Sequence, residues 1–402
     1  MAQFIKPEPR SPDAPERIAL SLILCSRNDQ YMGNSVWRLQ TTLNYVAKMV
    51  HELNHDAQVE ILVSDWGSDI PLRDVIELSP AAARMVAFLH IPPGIAHDLQ
   101  KDSPFPEVLA LNAAARRASG EYIGRIDQDT LVGRRFLELF FALYEGREKL
   151  EVPLDSGLLF SNRRIISYRF AVRCPKIEEI ESYIQVFGKS LKVWNQNPFY
   201  QKAFWASYVG IWLLHRNLWQ ESGGYDERLI YYNWMEADMI LRLIQSYKIV
   251  NLGEMTDYDF YHLEHYNPRA AANTRIHGKK NLDLTPGETP NQMNPNGENW
   301  GMINYPLNIL QQAPTPISKR LNSKEDGQGI LRSWLLLSLV AVVETEYDNL
   351  YLAIQRAWSI WMRRALMVNK KIRGEPVFRW PGLFFELWNE RKSSKKKIET
   401  AN

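Results

Sequence analysis

Cysteine is nearly missing from this sequence: Cys25 and Cys174 are the only two, far apart in the chain. That excludes a disulfide framework and points to a reducing compartment with both thiols free. An excess of one charge is missing too, because 48 basic against 46 acidic residues leave a net +2. A dedicated nucleic-acid binder needs a positive field over its surface, so no nucleic-acid partner is expected. Long apolar runs are absent as well. The longest uncharged apolar stretch, "WLLLSLVAVV" from Trp334 to Val343, is ten residues, half the ~20 that cross a bilayer as a helix. The amino terminus "MAQFIKPEPRSPDAPER" has no apolar core and does not read as a secretory signal. Residues 1–16 are expected to be a flexible tail and the protein cytoplasmic.

What is present suits a large globular protein. With 45% hydrophobic and 23% charged residues over a length of 402, the chain can fill a core. It also exceeds the ~250 to 300 residues over which one core keeps growing. One large domain plus an appendage follows. "IALSLILC" (18–25), "VEILVSD" (59–65), "MVAFLH" (85–90) and "YIGRI" (122–126) are short, almost continuous apolar runs, as expected of strands covered on both faces. Val36, Leu39, Leu43, Val46, Val50 and Leu53 recur at helical spacing between the first two. A second helix runs from about Pro106 to Ser119 and stops at Gly120. This alternation predicts an α/β fold with a mostly parallel, Rossmann-like sheet whose ligands lie at the carboxyl ends of the strands.

Beyond residue 157 the pattern weakens. "LLFSNRRIIS" reads as one strand, 167–200 as an irregular insertion, "ASYVGIWLLHR" as a strand and "WMEADMILRLIQS" (234–246) as a helix. Residues 267–328, rich in Asn, Pro and Gly, read as an extended, wrapping or mobile segment. Residues 329–402 read as a helical appendage with a basic "RKSSKKK" tail; the last 72 residues hold five of the 13 tryptophans. Two coverings suit such a region. One is peripheral contact with the inner membrane face; the other is packing against the main domain or a second protomer in a homo-oligomer.

The stretch "YIGRIDQDTLVG" (122–133) puts Asp127 and Asp129 directly after a strand. Such a pair has three explanations: ligands of a hard divalent cation, a phosphatase nucleophile with its acid, or a polar turn. A second copy, Asp257 and Asp259, shows that the pattern alone decides nothing.

The surroundings carry a resemblance. "ALNAAARRASGEYIGRIDQDT" (110–130) resembles the A-R-N-x-G-x-x-x-A-x-G-E-Y-I-x-x-x-D-x-D-D segment of family 2 glycosyltransferases of the GT-A fold. "ILCSRND", "ILVSDWGSD", "ESGGYDE" and "WMEADMILRL" are similar, in the same order, to that family's nucleotide loop, second strand, acceptor loop and base-bearing helix. Together they cover about 250 residues and place the domain at 17–266. The resemblance implies a metal-dependent, inverting transfer from a nucleoside-diphosphate sugar, by expectation a UDP-sugar, to a hydroxyl of a saccharide or lipid-linked saccharide. Ser26, Arg27, Asp65, Asn112, Arg116, Asp127 and Gln128 would line the donor site. Gly223, Gly224, Trp234 and Asp238 would meet the acceptor, and Glu236 would be the general base. Asp127 and Asp129 would hold Mn²⁺ or Mg²⁺ with His262, or with His265 in its place. The chain departs from the family at Leu111, Ala114 and Thr130, so the diphosphate must find other partners; Arg27, Arg116, Arg117 and Arg125 are candidates. Two rival readings stand beside this one: a haloacid-dehalogenase-type phosphatase with Asp127 as nucleophile, and a sugar-nucleotide-binding protein without activity.

Overall fold

The computed structural model of the chain describes residues 17–29, 31–193, 209–231, 234–265, 281 and 292–312. The chain divides into two compact units, residues 1–341 and 342–402, and every described residue belongs to the first. The expected tail at 1–16 and helical region at 329–402 lie outside the described residues.

Chain order begins with β1 (Leu20–Ser26), α1 (Ser35–Glu52), β2 (Val59–Trp66), the short helices α2 (Leu72–Val75) and α3 (Pro80–Met85), β3 (Val86–Ile91), α4 (Pro93–Gln100), α5 (Glu107–Arg117) and β4 (Tyr122–Arg125). It continues with β5 (Thr130–Val132), α6 (Arg134–Tyr144), β6 (Gly157–Asn162), β7 (Arg164–Ile166), α7 (Tyr168–Ala171), α8 (Ile177–Phe187), β8 (Val209–His215), α9 (Arg216–Ser222) and α10 (Met235–Leu243). β9 (Lys248–Asn251), α11 (Leu252–Met255), β10 (Phe260–Leu263) and β11 (Ile309–Gln311) follow.

The main sheet has the order β11-β3-β2-β1-β4-β8-β6-β9. β3, β2, β1 and β4 are mutually parallel, β8 runs against both of its neighbours, and β11 is an antiparallel edge. The fold is therefore α/β with a mainly parallel sheet flanked by helices, the class the sequence predicts. Alternate residues of one strand feed different cores: Leu20, Leu22 and Leu24 face the layer holding α1 and α6, and Ile23 faces the layer holding α5. Both faces are covered, so an almost continuous apolar run is what these strands require. Each buried leucine or isoleucine adds about 1.5 to 3 kcal/mol relative to exposure.

Two expectations change in the second half, and a third is narrowed to one of its alternatives. "LLFSNRRIIS" is two strands, because the β6–β8 register shifts at Ser161/Asn162 and β7 joins a separate three-stranded sheet of order β5-β10-β7. The insertion expected to be irregular contains α8, which buries Ile180 and Tyr183. Within the Asn/Pro/Gly-rich segment, residues 292–312 pack back on the body. Trp300 is 2% exposed in the second core, β11 adds to β3, and Arg117 donates to the carbonyls of Gly301 (2.6 Å) and Met302 (2.8 Å). A helix of the type expected at 234–246 is found as α10.

α9 ends in the turn Gly223-Gly224, with φ of 63° and 72°. A Cβ on Gly224 would stand 2.3 Å from Oδ1 of Asn112. Gly224→Ala should therefore lower stability by about 1 to 3 kcal/mol, read as a reduced urea midpoint; an unchanged midpoint would show that the turn relaxes freely.

Candidate active site

The chain leaves the main sheet at Arg125 and enters the small sheet at Thr130, so residues 126–129 bridge the two. β10 lies antiparallel to β5 with His262 opposite Thr130, and the Leu263 N–H donates to the Asp129 carbonyl at 2.9 Å. This register carries His262 and, just past the strand, His265 to the Asp129 carboxylate. Asp129 Oδ1 is 2.9 Å from His262 Nδ1, and Oδ2 is 3.2 Å from His265 Nε2. One donor atom from each of the three lies within 4.8 Å of the others.

Despite that spacing, Asp129 Oδ1 and His262 Nδ1 have no hydrogen-bond partner among the described residues, and both are buried. These two buried ligand atoms, in ion-pair contact 2.9 Å apart, match the edge of an octahedron of ~2.1 Å bonds, about 3 Å. One carboxylate with two imidazoles fits a divalent transition ion. Burial works to raise the Asp129 carboxyl, yet the imidazoles of His262 and then His265 outweigh it and hold it well below the ordinary value. Asp129 is thus an anion on which a cation would compete with imidazole protons. Arg38 closes the far side, with Nε 3.5 Å from Asp129 Oδ2 and Nη2 donating to the Tyr31 carbonyl at 2.9 Å.

Asp127 does not join this cluster. Its Oδ1 is 2.7 Å from Arg125 Nη2, and its Oδ2 accepts from Arg163. Burial pushes its carboxyl up, but Arg125 and Arg163 prevail and keep it below the usual carboxylate value. A carboxylate tied through both oxygens is not presented as a nucleophile, which removes the geometric basis of the phosphatase reading. Arg125, buried at the end of β4, also meets Glu107 (2.6 Å) and Glu236 (3.3 Å). Glu236 sits in the first turn of α10, where burial raises its carboxyl and Arg125 works against the rise. The residue before α10, Trp234, stands at φ 79°, a left-handed conformation costly for a bulky side chain.

Other sequence-predicted residues divide into two groups. Ser26, at the end of β1, donates to the Gln128 side chain, and Arg27 lies over the Phe105 ring while pairing with Asp29 at 2.9 Å. These remain beside the strand ends. Asp65 is level with Ser26 in register, yet its oxygens accept from Ser68 and from the Leu72 N–H (2.8 Å), and His90 Nδ1 lies 3.1 Å away, so they fasten the 66–72 turn.

Five further residues named from the sequence are engaged within the fold. Asn112 is fully buried and clamps the glycine turn through the Tyr225 N–H and carbonyl, both at 2.8 Å, so its amide is satisfied inside the fold. Arg116 lies over Trp300 at 5.0 Å and serves packing of the 292–312 segment. Asp238 pairs with Arg242 at 3.0 Å, which in turn donates to the Ser222 and Gly224 carbonyls at 2.9 Å. Gly223 and Gly224 form the turn itself, so any contact they make with an acceptor would be through the backbone. The second Asp-x-Asp is structural: Asp259 accepts from the Arg135 N–H (2.8 Å) at the start of α6, and Asp257 pairs with Arg164 at 2.8 Å.

The sequence reading missed Arg38, Glu107 and Arg163. Arg38 and Arg163 reach the site only through tertiary folding. Glu107 carried a local signal, an acid at the start of α5, but acids there are common for dipole reasons alone.

No family model matches the chain, and no curated protein matches it. Among solved structures it is similar to TarS from S. aureus (12% identity over 61% of this chain and 36% of that one, TM-score 0.38) and to TarS 1-349 in complex with UDP (14%, 60% and 60%, 0.38). It is also similar to a mutant of Drosophila β1,4-galactosyltransferase 7 complexed with manganese, UDP-Gal and xylobiose (12%, 65% and 76%, 0.35). The chain spans under two thirds of the TarS chains it matches. At these scores the likenesses carry no argument about activity, which rests on the site. No helix among the described residues is long and apolar enough to cross a membrane.

Calorimetric titration with Mn²⁺ alone should show one site. Asp129→Asn, His262→Ala and His265→Ala should each weaken it about tenfold or more, whereas Asp127→Asn should change it by less than about threefold. Full affinity in all three ligand variants would dismiss the cluster as a cation site.

Proposed function

We propose that the chain is a metal-dependent, inverting glycosyltransferase of the GT-A type, transferring a sugar from a nucleoside-diphosphate sugar, preferentially a UDP-sugar, to a saccharide or lipid-linked hydroxyl. The carrying observation is the Asp129, His262, His265 cluster at the carboxyl end of β4, immediately after the segment that resembles family 2. Support for placing a phosphorylated ligand there comes from the neighbouring buried cations, Arg38, Arg125 and Arg163. A bound Mn²⁺ or Mg²⁺ would neutralise diphosphate charge as the nucleoside diphosphate departs; the two imidazoles favour Mn²⁺.

In this reading the chain's own residues do the rest. Ser26, Arg27 and Gln128 border the donor at the ends of β1 and β4. Glu236, at the amino end of α10 with its side chain 21% exposed, accepts the proton of the attacking acceptor hydroxyl. A carboxylate on the opposite face of the sugar from the leaving diphosphate gives inversion. The strained Trp234 next to it borders the acceptor side.

A thermal-shift panel of nucleotide sugars with and without Mn²⁺ should reveal a donor that raises the midpoint only when the ion is present. With that donor, Glu236→Gln should reduce kcat by about 100-fold or more while leaving the shift intact. Stabilisation by every nucleotide equally, or full turnover by Glu236→Gln, would refute the assignment.

A further inference from the structure

A fixed cation beside a candidate cation site is unexpected, and Arg38 is one. It is the fourth residue of α1, a helix whose first turn holds no acid, and the positive end of the helix dipole disfavours a cation there. It is 2% exposed, and a buried guanidinium is costly unless its charge is answered. The answer is Asp129: Arg38 Nε stands 3.5 Å from Oδ2, the same oxygen that His265 Nε2 approaches at 3.2 Å. Apart from the two imidazoles, Arg38 is the only basic group paired with Asp129 among the described residues. Its other nitrogens face backbone: Nη1 donates to the Gly33 carbonyl and Nη2 to the Tyr31 carbonyl at 2.9 Å. Those carbonyls belong to a turn in which Met32, Gly33 and Asn34 all have left-handed φ, of 55°, 72° and 51°, and two of the three lack glycine's freedom. The Tyr31 ring meets the His265 ring at 5.9 Å. Residues 31–34 are thereby joined to two of the three candidate ligands, to Asp129 through Arg38 and to His265 through Tyr31.

We propose that Arg38 is a positioning residue that stands in for the cation: it competes with a divalent ion for Asp129, and the arrival of the ion loosens residues 31–34. The proposal rests on the cluster taking a cation and is independent of the transferase reading. Its sign follows from Coulomb's law. Asp129 attracts Arg38 while it is a bare carboxylate; a divalent ion on it turns that attraction into a net repulsion between like charges. With the imidazoles neutral, one carboxylate and one guanidinium sum to zero before the ion arrives. A free ion is therefore held less tightly than the three donors alone would hold it. The guanidinium is bound to the Tyr31 and Gly33 carbonyls, so the repulsion is passed to a turn already in a costly conformation. Asp127 offers no relief, because Arg125 and Arg163 engage both its oxygens.

The test is calorimetric titration of the full chain with Mn²⁺ alone. Arg38→Met, which keeps an apolar stem and removes the charge, should bind Mn²⁺ about tenfold or more tightly than wild type. Arg38→Lys, which restores a cation, should stay within about threefold of wild type. A side chain needed only for packing would instead weaken the site in both variants. Hydrogen exchange read by mass spectrometry supplies a second sign. In wild type, Mn²⁺ should speed exchange across residues 31–38 while slowing it across 260–265. An Arg38→Met chain that is folded by circular dichroism yet binds Mn²⁺ no more tightly than wild type overturns the proposal, as does an Arg38→Lys chain that tightens equally. Wild-type exchange at 31–38 that is slower or unchanged with the ion overturns it too. Should Arg38→Met fail to fold, the exchange measurement decides alone. Either failure leaves the cation site standing wherever Asp129→Asn, His262→Ala and His265→Ala weaken Mn²⁺ binding. Where the wild type turns over no nucleotide sugar, the transferase reading falls and the Arg38 titrations keep their meaning.

Discussion

The antiparallel pairing of β5 with β10 is the constraint on which the site depends. Two of its registered pairs, Thr130 with His262 and Leu131 with Tyr261, bring a segment 130 residues further along the chain against the end of β4. A shift of one residue would turn His262 to the opposite face of a strand whose side chains alternate, and Asp129 would face Tyr261 or Leu263 instead. The geometry of the candidate ligand cluster is thus a by-product of backbone hydrogen bonding, and His265, off the strand end, follows from the same alignment.

Charge organises what lies beside it. The carboxyl end of β4 and the starts of α5 and α10 bring together Asp127, Asp129, Glu107 and Glu236, which would repel one another if left alone. Arg38, Arg125 and Arg163 sit between them, each nearly buried and each with an Nε lacking a hydrogen-bond partner among the described residues. Buried ion pairs seldom add net stability against an apolar replacement. Their presence here therefore does not follow from reinforcement of the fold, and it accords with the proposed binding of an anionic ligand and a cation.

Much of the first half was legible because each element buries a regular pattern. The strands at 20–26, 59–66, 86–91 and 122–125 are covered on two faces and the helix at 35–52 on one, so apolar runs and helical spacing state the answer directly. Asp129 was named from motif order, and both histidines that the fold brings to it were in view although only one was preferred. Asn112 and Asp238 share a difficulty: a polar residue in a matching motif position signals constraint without saying whether a ligand or the fold imposes it. Asn112 is constrained by the Tyr225 backbone and Asp238 by Arg242. Arg163 illustrates the opposite difficulty. It interrupts what reads as one strand, and only the split between two sheets shows why a charged side chain stands there.

The return of residues 292–312 bears on how this protein can be dissected. Trp300 fills space in the core under α5, Asn296 donates to the Gly223 carbonyl at 2.8 Å, and Arg117 grips the carbonyls that follow Trp300. The minimal autonomous body therefore cannot end where the motif resemblance ends, near residue 266. A fragment cut there would forfeit the indole that plugs one hydrophobic layer and the asparagine that braces the turn ahead of α10. Its failure to express would reflect a missing wedge and say nothing about the chemistry at the strand ends.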